Sequence, residues 1–455
     1  MSGRKPHGPR PLGKHCHLAA YFPGADTTTV WTGPDAKSPI EFSSFEHLAR
    51  TAERGLFDFF LLAEGLRPRE HQGRIHDLDV AGRPEPLTVL NALAAVTERL
   101  GLAATADATF NEPFELARRL ATLDHLSDGR AAWHVVTSSD AWTSENFRRG
   151  GYLDRADRYP RAAEFVATAR KLWDSWTPDE APRPFAHQGR HFDIAGEFTV
   201  PRSPQGHPVV IQAGGSSEAR EFAAATADVV LARHGTLEAG RAFCADVKRR
   251  LAKYGRTAGD LKIMPGVTVV LGDTAAEAQE RAATIRRQLV SPQRALLTLE
   301  RLWGVDLSAY DPDGPLPEFD PVADPRLTRG RARHGDAVAT AGKLRALSRE
   351  KGLSIRQTVI ETSARQSFVG TPEAVAAEVA RFVREDAADG FVLVPQLTPG
   401  GLDEFVDLVV PLLQERGAFR TAYEGRTLRS HLGLPDPVGT GAGERANPMT
   451  AGQIT

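Results

Sequence analysis

Cysteine is almost absent from this sequence. Two cysteines, Cys16 and Cys244, occur in 455 residues. That excludes a disulfide framework and fits a reducing compartment. An excess of one charge is missing as well: 56 Lys and Arg face 58 Asp and Glu, for a formal net charge of -2. The balance leaves no basic surplus for nucleic acid or an anionic membrane surface. No apolar run approaches the ~18 residues of a membrane helix. The opening "MSGRKPHGPRPLGKHCH" is basic and rich in Pro and Gly, but it lacks the apolar stretch of a signal peptide. Residues 1–16 are expected to form a flexible arm and residues 436–455 a flexible tail, on a protein of the cytoplasm. The hydrolase signatures are also missing: there is no G-x-S-x-G and no Ser-His-Asp pattern.

What the chain does have is alternation. Short apolar runs recur, and most are followed by a helical pattern. The runs are "HLAAYF", "LFDFFLLAE", "LAATAD", "AAWHVVTS", "PVVIQAG", "DVVLARHG", "IMPGVTVVLG" and "GFVLVPQL". Between them lie helical stretches such as "SFEHLARTAERG", "PLTVLNALAAVTERLG" and "EPFELARRLATLDHLSDG", and helices over 216–226, 237–254 and 402–415. Strands buried on both faces read as continuous apolar runs. Eight such runs alternating with helices predict an α/β fold, a (β/α)₈ TIM barrel over residues 17–435. A doubly wound open sheet is the competing fold. Residues 64–85, about 140–156, 177–207 and 288–355 exceed ordinary connections. They read as insertions over the carboxyl-terminal face of the strands.

In such a barrel the chemistry sits where the strands end. The ends carry Tyr21 and Phe22, Glu64, Asp107 to Thr109, Thr137 and Ser138, Gln212, Arg233 and His234, and Pro395 and Gln396. Most are neutral donors and acceptors. The hydroxyl run Thr137 to Ser139 has two readings, a ligand pocket or a cap on the next segment. "QAGGSSEAREFAA" takes a strand through Gly214 and Gly215 to Ser216 and a helix. Free N–H groups at a helix start form a phosphate site, and glycine lets an anion come close. A plain strand-to-helix turn is the other reading. Arg155 and Tyr159 either serve the same anion or mark a solvated helix end. "KHCH" suggests a His15/His17 metal pair, but the pair precedes its strand and lies at the wrong end for one. No metal is expected.

Six stretches resemble one family, the flavin-dependent monooxygenases of the bacterial luciferase superfamily. They are "FDFFLLAE", "TFNEPFELARRLATLDHLSDGRAAWHVVTS", "RYPRAAEFVATARKLWDSW", "FTVPRSPQGHPVVIQAGGSSEAREFAA", "VGTPEAVAAEVARFV" and the long "ADGFVLVPQLTPGGLDEFVDLVVPLLQERGAFRTAYEGRTLRSHLGLP". The branch resembled holds nitrilotriacetate, EDTA and dibenzothiophene-sulfone monooxygenases. The resemblance implies FMN, used as FMNH₂, at the strand ends, and a separate NAD(P)H-dependent flavin reductase that supplies it. It implies O₂ chemistry through a C4a-(hydro)peroxyflavin and one oxygen atom passed to a small organic substrate. The cofactor carries the hard chemistry, and the protein binds, orients and excludes water.

By the same resemblance the cofactor-binding residues are Glu64, Thr105, Asp107, Thr109, Thr137, Ser138, Arg155, Tyr159, Gly214, Gly215 and Ser216. His17 and His134 are the catalytic candidates, both expected to face the flavin's reactive edge. Four positions depart from the family pattern. Glu64 stands for a usual Asp, Asp107 for a small hydroxyl residue, His134 for Asn and Arg155 for His. A hydride-transferring oxidoreductase using deazaflavin F420 on the same barrel is the alternative. A homodimer or homotetramer is expected.

Overall fold

The computed structural model describes residues 15–22, 40–66, 84–138, 156–176, 181–322, 336–363, 366–397 and 400–437. Eight parallel strands close into a barrel. They are β1 (His17–Phe22), β2 (Phe59–Leu62), β3 (Gly101–Asp107), β4 (Ala131–Val136), β7 (Val209–Ala213), β8 (Val229–Ala232), β9 (Lys262–Val267) and β12 (Gly390–Leu393). Their order around the barrel is β1-β12-β9-β8-β7-β4-β3-β2. The competing open sheet is therefore not what forms: β1 closes the ring by pairing with both β12 and β2.

Alternation along each strand sorts the side chains. Ala19, Leu61, Ala103, Ala132, Ile211 and Met264 point inward and form one apolar cluster. Their neighbours Leu18, Leu62, Leu102, Trp133 and Val210 belong to a second cluster between strands and helices. Trp133 is the clearest case. It is fully buried, lies 5.4 Å from the Phe165 ring and donates to the Ala106 carbonyl at 3.0 Å. It is core, not pocket.

The helices that pack outside are α1 (Phe42–Arg54), α2 (Pro86–Ala94), α3 (Pro113–Leu126), α4 (Arg158–Trp173), α5 (Ser217–Thr226) and α6 (Leu237–Leu251). The region after β9 supplies α7 (Ala275–Leu289), α8 (Pro292–Trp303), α9 (Ala337–Lys351), α10 (Ile355–Thr362) and α11 (Pro372–Arg384). After β12 come α12 (Gly400–Leu408), α13 (Val410–Glu415) and the short α14 (Leu428–His431).

That last segment seals the amino end of the barrel. Leu428, Leu432 and Leu434 join the inward apolar cluster. Gly101 lets Leu428 in: a Cβ at Gly101 would lie 2.6 Å from the Leu428 side chain. Arg429 locks the segment from the other side, donating to the Asp228 carboxylate at 2.9 Å and to the His207 carbonyl at 3.1 Å.

Three elements differ from the sequence reading. The run "IMPGVTVVLG" is two strands, because β10 (Val269–Leu271) leaves the barrel and pairs with β11 (Phe368–Gly370). The helix expected over 402–415 is broken at Val409, since Pro411 lacks the N–H that would continue it. The stretch 177–207 contains an antiparallel hairpin, β5 (Phe185–Gln188) with β6 (Asp193–Gly196). It is pinned to α4 by Glu164, which pairs with His187 Nε2 at 3.0 Å and accepts the Phe192 N–H at 3.0 Å. The outer parts of the expected arm and tail, most of the insertions 64–85 and 140–156, Ser139 and Arg155 lie outside the described residues.

Candidate functional site

At the carboxyl ends of β2, β3 and β4, one hydrogen-bonded group ties three neighbouring strands together. Glu64 Oε2 accepts the Asp107 backbone N–H at 3.0 Å. Asp107 Oδ1 accepts the N–H groups of Thr109 at 2.6 Å and Phe110 at 3.2 Å, a side-chain cap on the turn into α3. Its Oδ2 accepts the Ser138 N–H at 3.1 Å and the Ser138 hydroxyl. Thr109 completes the ring by donating to the Ser138 carbonyl at 3.1 Å. Ser138 therefore braces β4 against β3. Thr137 beside it is partly exposed and has no hydrogen bond among the described residues.

The two carboxyls are electrostatically unusual. Burial pushes Glu64 up to about 8, and the neighbouring Asp107 charge adds to it. Burial also raises Asp107, against the lowering pull of its bonds from Ser138 and Thr109. A neutral Glu64 at pH 7 donates a proton where an ordinary carboxylate only accepts.

Deeper in the barrel, Thr105 and His134 face each other across the β3–β4 pairing, with Thr105 Oγ1 and His134 Nδ1 3.0 Å apart. Nε2 of His134 is enclosed and has no hydrogen bond among the described residues. Burial lowers the imidazole to about 4, so it is neutral at ordinary pH. Both side chains lie on the inward alternation above the buried Ala103 and Ala132. At this height the interior opens. Tyr21 and Leu231 are half-buried, and Ala213 and Gly266 are exposed, although all four belong to barrel strands.

The third part is the turn between β7 and α5. Gly214 has φ +147, a conformation that favours glycine, and a Cβ there would lie 2.7 Å from Ala219 Cβ. A Cβ on Gly215 would meet nothing within 4 Å. Ser216 caps α5, its side chain accepting the Ala219 N–H at 3.2 Å. The first N–H groups of a helix have no partner within it, and they carry a partial positive charge. Tyr159, in the first turn of α4, puts its hydroxyl 3.7 Å from the Cβ position of Gly214. The backbone, the hydroxyl and the open space fit a phosphate. The apolar, half-open mouth beside them fits a flavin ring.

His17 does not belong to this group. It is the first residue of β1, paired with Gly390 at the start of β12. Its Nδ1 lies 3.2 Å from Asp58 Oδ1, just before β2. His17 thus sits at the amino end of the barrel, opposite the candidate site, and the expectation that it faces a flavin is corrected. With His15, Lys262, Arg420 and His431 it lines a 990 Å³ groove at that end. Among the described residues no group of three or more His, Cys, Asp or Glu is arranged to hold a metal ion. No helix among them is long and apolar enough to cross a membrane.

A family model described as luciferase-like monooxygenase matches residues 24–390. The chain belongs to the luciferase-like monooxygenase family. Nitrilotriacetate monooxygenase component A from Aminobacter aminovorans is 42% identical over 435 residues, which cover 90% of this chain and 93% of that one. The solved EDTA monooxygenase from Chelativorans sp. BNC1 aligns with TM-score 0.72 and 28% identity over 93% of this chain and 99% of that one. A riboflavin lyase, solved with modified FMN and riboflavin, aligns with TM-score 0.74 and 27% identity over 93% and 97%. The enzyme class is accordingly flavin-dependent monooxygenase.

In this luciferase-like monooxygenase Arg158, which was not among the expected site residues, also belongs to this corner. Its guanidinium lies 4.6 Å over the Tyr159 ring, and its buried Nε has no hydrogen bond among the described residues. The neighbouring aromatic and the helix start were signals available in "DRYPR". Asp107, expected as a cofactor contact, has both carboxylate oxygens hydrogen-bonded by Thr109, Phe110 and Ser138.

Proposed function

We propose that this chain is the oxygenating component of a two-component system. It takes reduced FMN from a separate NAD(P)H-dependent flavin reductase. One atom of O₂ enters a small organic substrate and the other leaves as water, while FMNH₂ is oxidised to FMN. The observation that carries this reading is the turn Gly214-Gly215-Ser216, opening α5 beside Tyr159. The solved relative that holds a modified FMN supports the same choice of cofactor.

In this reading the phosphate lies on the N–H groups of the glycine turn, with Tyr159 as hydroxyl donor and Arg155 and Arg158 as the cations. Each charge-assisted contact is worth ~1.5–3 kcal/mol. Reduced FMN supplies the reaction with O₂. The protein's residues supply the setting. Thr105, Thr109, Thr137 and Ser138 offer neutral hydrogen-bonding groups along the ring. Glu64, protonated, offers a donor where a carboxylate would repel electron-rich flavin. His134 is the catalytic candidate on the inner wall. Its neutral imidazole is fixed through Nδ1 by Thr105, leaving Nε2 to hydrogen-bond the ligand. The working unit is a homodimer or homotetramer.

The test is a set of anaerobic titrations of the purified protein with FMN, FMNH₂ and F420, read by flavin fluorescence. Tight binding of FMNH₂, with F420 excluded, is expected. Binding of F420 with no binding of either FMN form would replace this reading with hydride transfer.

A further inference from the structure

The groove at the amino end of the barrel lies opposite the glycine turn, and the monooxygenase chemistry makes no use of it. Its volume is 990 Å³, and Ala245, Val383 and Leu432 share its lining with charged side chains. Two basic side chains reach it from barrel strands. Lys262 pairs with the inward Val229 on β8, and His17 alternates with the inward Ala19 on β1. Both therefore point to the inside of the barrel at its amino opening, and both line the groove. β12 runs between their strands, and its Gly390 brings no side chain into the space. A Cβ on Gly390 would lie 2.6 Å from His17 Cβ.

The charges at this opening do not cancel. Asp58 is engaged by His17, by Arg420 and by the Leu18 N–H. Asp389 is engaged by Lys248 at 2.9 Å and by the Ile263 N–H at 2.8 Å. Three cations, Arg420, Lys248 and Lys262, thus meet two acids whose partners are already in place. Lys262 is left over. It is half-buried, and its ammonium has no ion pair or hydrogen bond among the described residues. Burial lowers it, against the raising pull of Asp389. His431 adds no charge, since burial lowers its imidazole to about 4.

The rest of the groove does not supply a counter-ion. Glu385 pairs with Arg381 at 3.1 Å, and Asp386 and Glu424 are exposed without an ion pair to Lys262. Arg241, exposed on α6, adds a second cation without a partner among the described residues. Residues 1–14, which lead to His15 in the groove wall, carry Arg4, Lys5, Arg10 and Lys14 and no acid.

A half-buried ammonium without a counter-ion is costly until an anion completes it. A lysine is a point donor of the kind that holds phosphate. His17 Nδ1 faces Asp58, so Nε2 accepts from a phosphate hydroxyl, or donates when the ring is charged. Inorganic phosphate alone is far smaller than the groove, whose apolar lining suits the body of a small molecule.

We propose that this groove binds a phosphate monoester of a small molecule, with Lys262 as the charged anchor and His17 as a neighbouring hydrogen-bonding group. The site is separate from the glycine turn, so its occupancy does not depend on flavin.

Calorimetric titration of the full-length protein saturated with FMN, in phosphate-free buffer, tests it. Glycerol 3-phosphate and inorganic phosphate are the probes, and glycerol and succinate are the controls. Both phosphates should bind saturably, the ester more tightly, with succinate weaker and glycerol inert. Lys262→Gln should weaken ester binding about ten- to a hundredfold. Lys262→Arg should keep most of it, and FMN affinity should be unchanged in both. On the unaltered chain, glycerol 3-phosphate should slow the acetylation of Lys262 by acetic anhydride, read by peptide mass spectrometry. That measurement needs no variant to fold. No saturable binding of either phosphate, unchanged binding in Lys262→Gln, or acetylation of Lys262 indifferent to the ester would each overturn the proposal. Succinate binding as tightly as the ester would overturn the choice of phosphate. If the protein takes no FMN, the same titrations without it decide the groove, and the flavin reading alone fails.

Discussion

The side chain of Glu64, at the end of β2, accepts the backbone N–H of Asp107, at the end of β3, at 3.0 Å. One carboxyl thus spans two barrel strands at the candidate flavin site. Burial and the Asp107 charge push it from the usual 4.5 up to about 8.

This pairing predicts a pH dependence of stability. Between about pH 4.5 and 8 the unfolded chain releases the Glu64 proton and the folded chain keeps it. The folded state then binds more protons, so stability falls as pH rises through that window and levels off above it. Glu64→Gln holds a neutral group of the same shape and should flatten this slope. Thermal unfolding midpoints of both proteins at several pH values would show it, and parallel curves would count against the assignment.

Asp107 is expected to be structural. Replacing it with Ala leaves the N–H groups of Thr109, Phe110 and Ser138 without their acceptor. Each unsatisfied buried donor costs ~1–3 kcal/mol. Urea unfolding should show a loss on the order of 3 kcal/mol or more, with weaker FMN binding as a consequence of the loosened β3–β4 edge. Full stability with lost FMN affinity would instead make Asp107 a direct contact.

At the amino end, Asp58 is held between His17 and Arg420. Burial alone would raise its carboxyl, but the charges of Arg420 and His17 hold it at about 2. Stability from this group is present above pH 3.8 and is lost as pH falls toward 2. Breaking a buried pair costs ~3–5 kcal/mol, which is the loss expected for Arg420→Ala. His17→Ala should cost less, ~1 kcal/mol, and should leave the ratio of oxygenated product to hydrogen peroxide unchanged. A peroxide leak at wild-type stability would return His17 to the chemistry.

The phosphate turn can be probed from two sides. Gly214→Ala meets Ala219 at 2.7 Å and strains a φ of +147, so it should abolish FMN binding and lower stability together. Tyr159→Phe removes one neutral hydrogen bond, worth ~0.5–1.5 kcal/mol. FMN affinity should fall about two- to twelvefold with the unfolding midpoint unmoved. Unaltered affinity in Tyr159→Phe would place the phosphate elsewhere.

The barrel was legible in the sequence because its strands are buried on both faces. "HLAAYF", "LAATAD" and "AAWHVVTS" are largely apolar runs; the first matches β1, the second lacks only the leading Gly101 of β3, and the third runs two residues past the end of β4 at Val136. The glycine turn was legible because Gly214 needs a backbone conformation that other residues avoid. Where apolarity continued through a change of direction, the pattern was silent. Val269 is as apolar as Val267, and only its pairing with Phe368 takes it out of the barrel.

Height along the barrel and choice of partner belonged to the tertiary structure. Local sequence shows that His17 is on a strand. The pairing of His17 with Gly390, and its contact with Asp58, decide that it lies at the end without the chemistry. Sequence shows two carboxyls, Glu64 and Asp107, at strand ends. Only the pairing of β3 with β4 brings Ser138, 31 positions away, onto Asp107. The physical reason is range. Alternation and glycine conformation act between near neighbours in the chain, whereas burial, charge pairing and unfilled hydrogen bonds are set by what the fold brings beside them from far away.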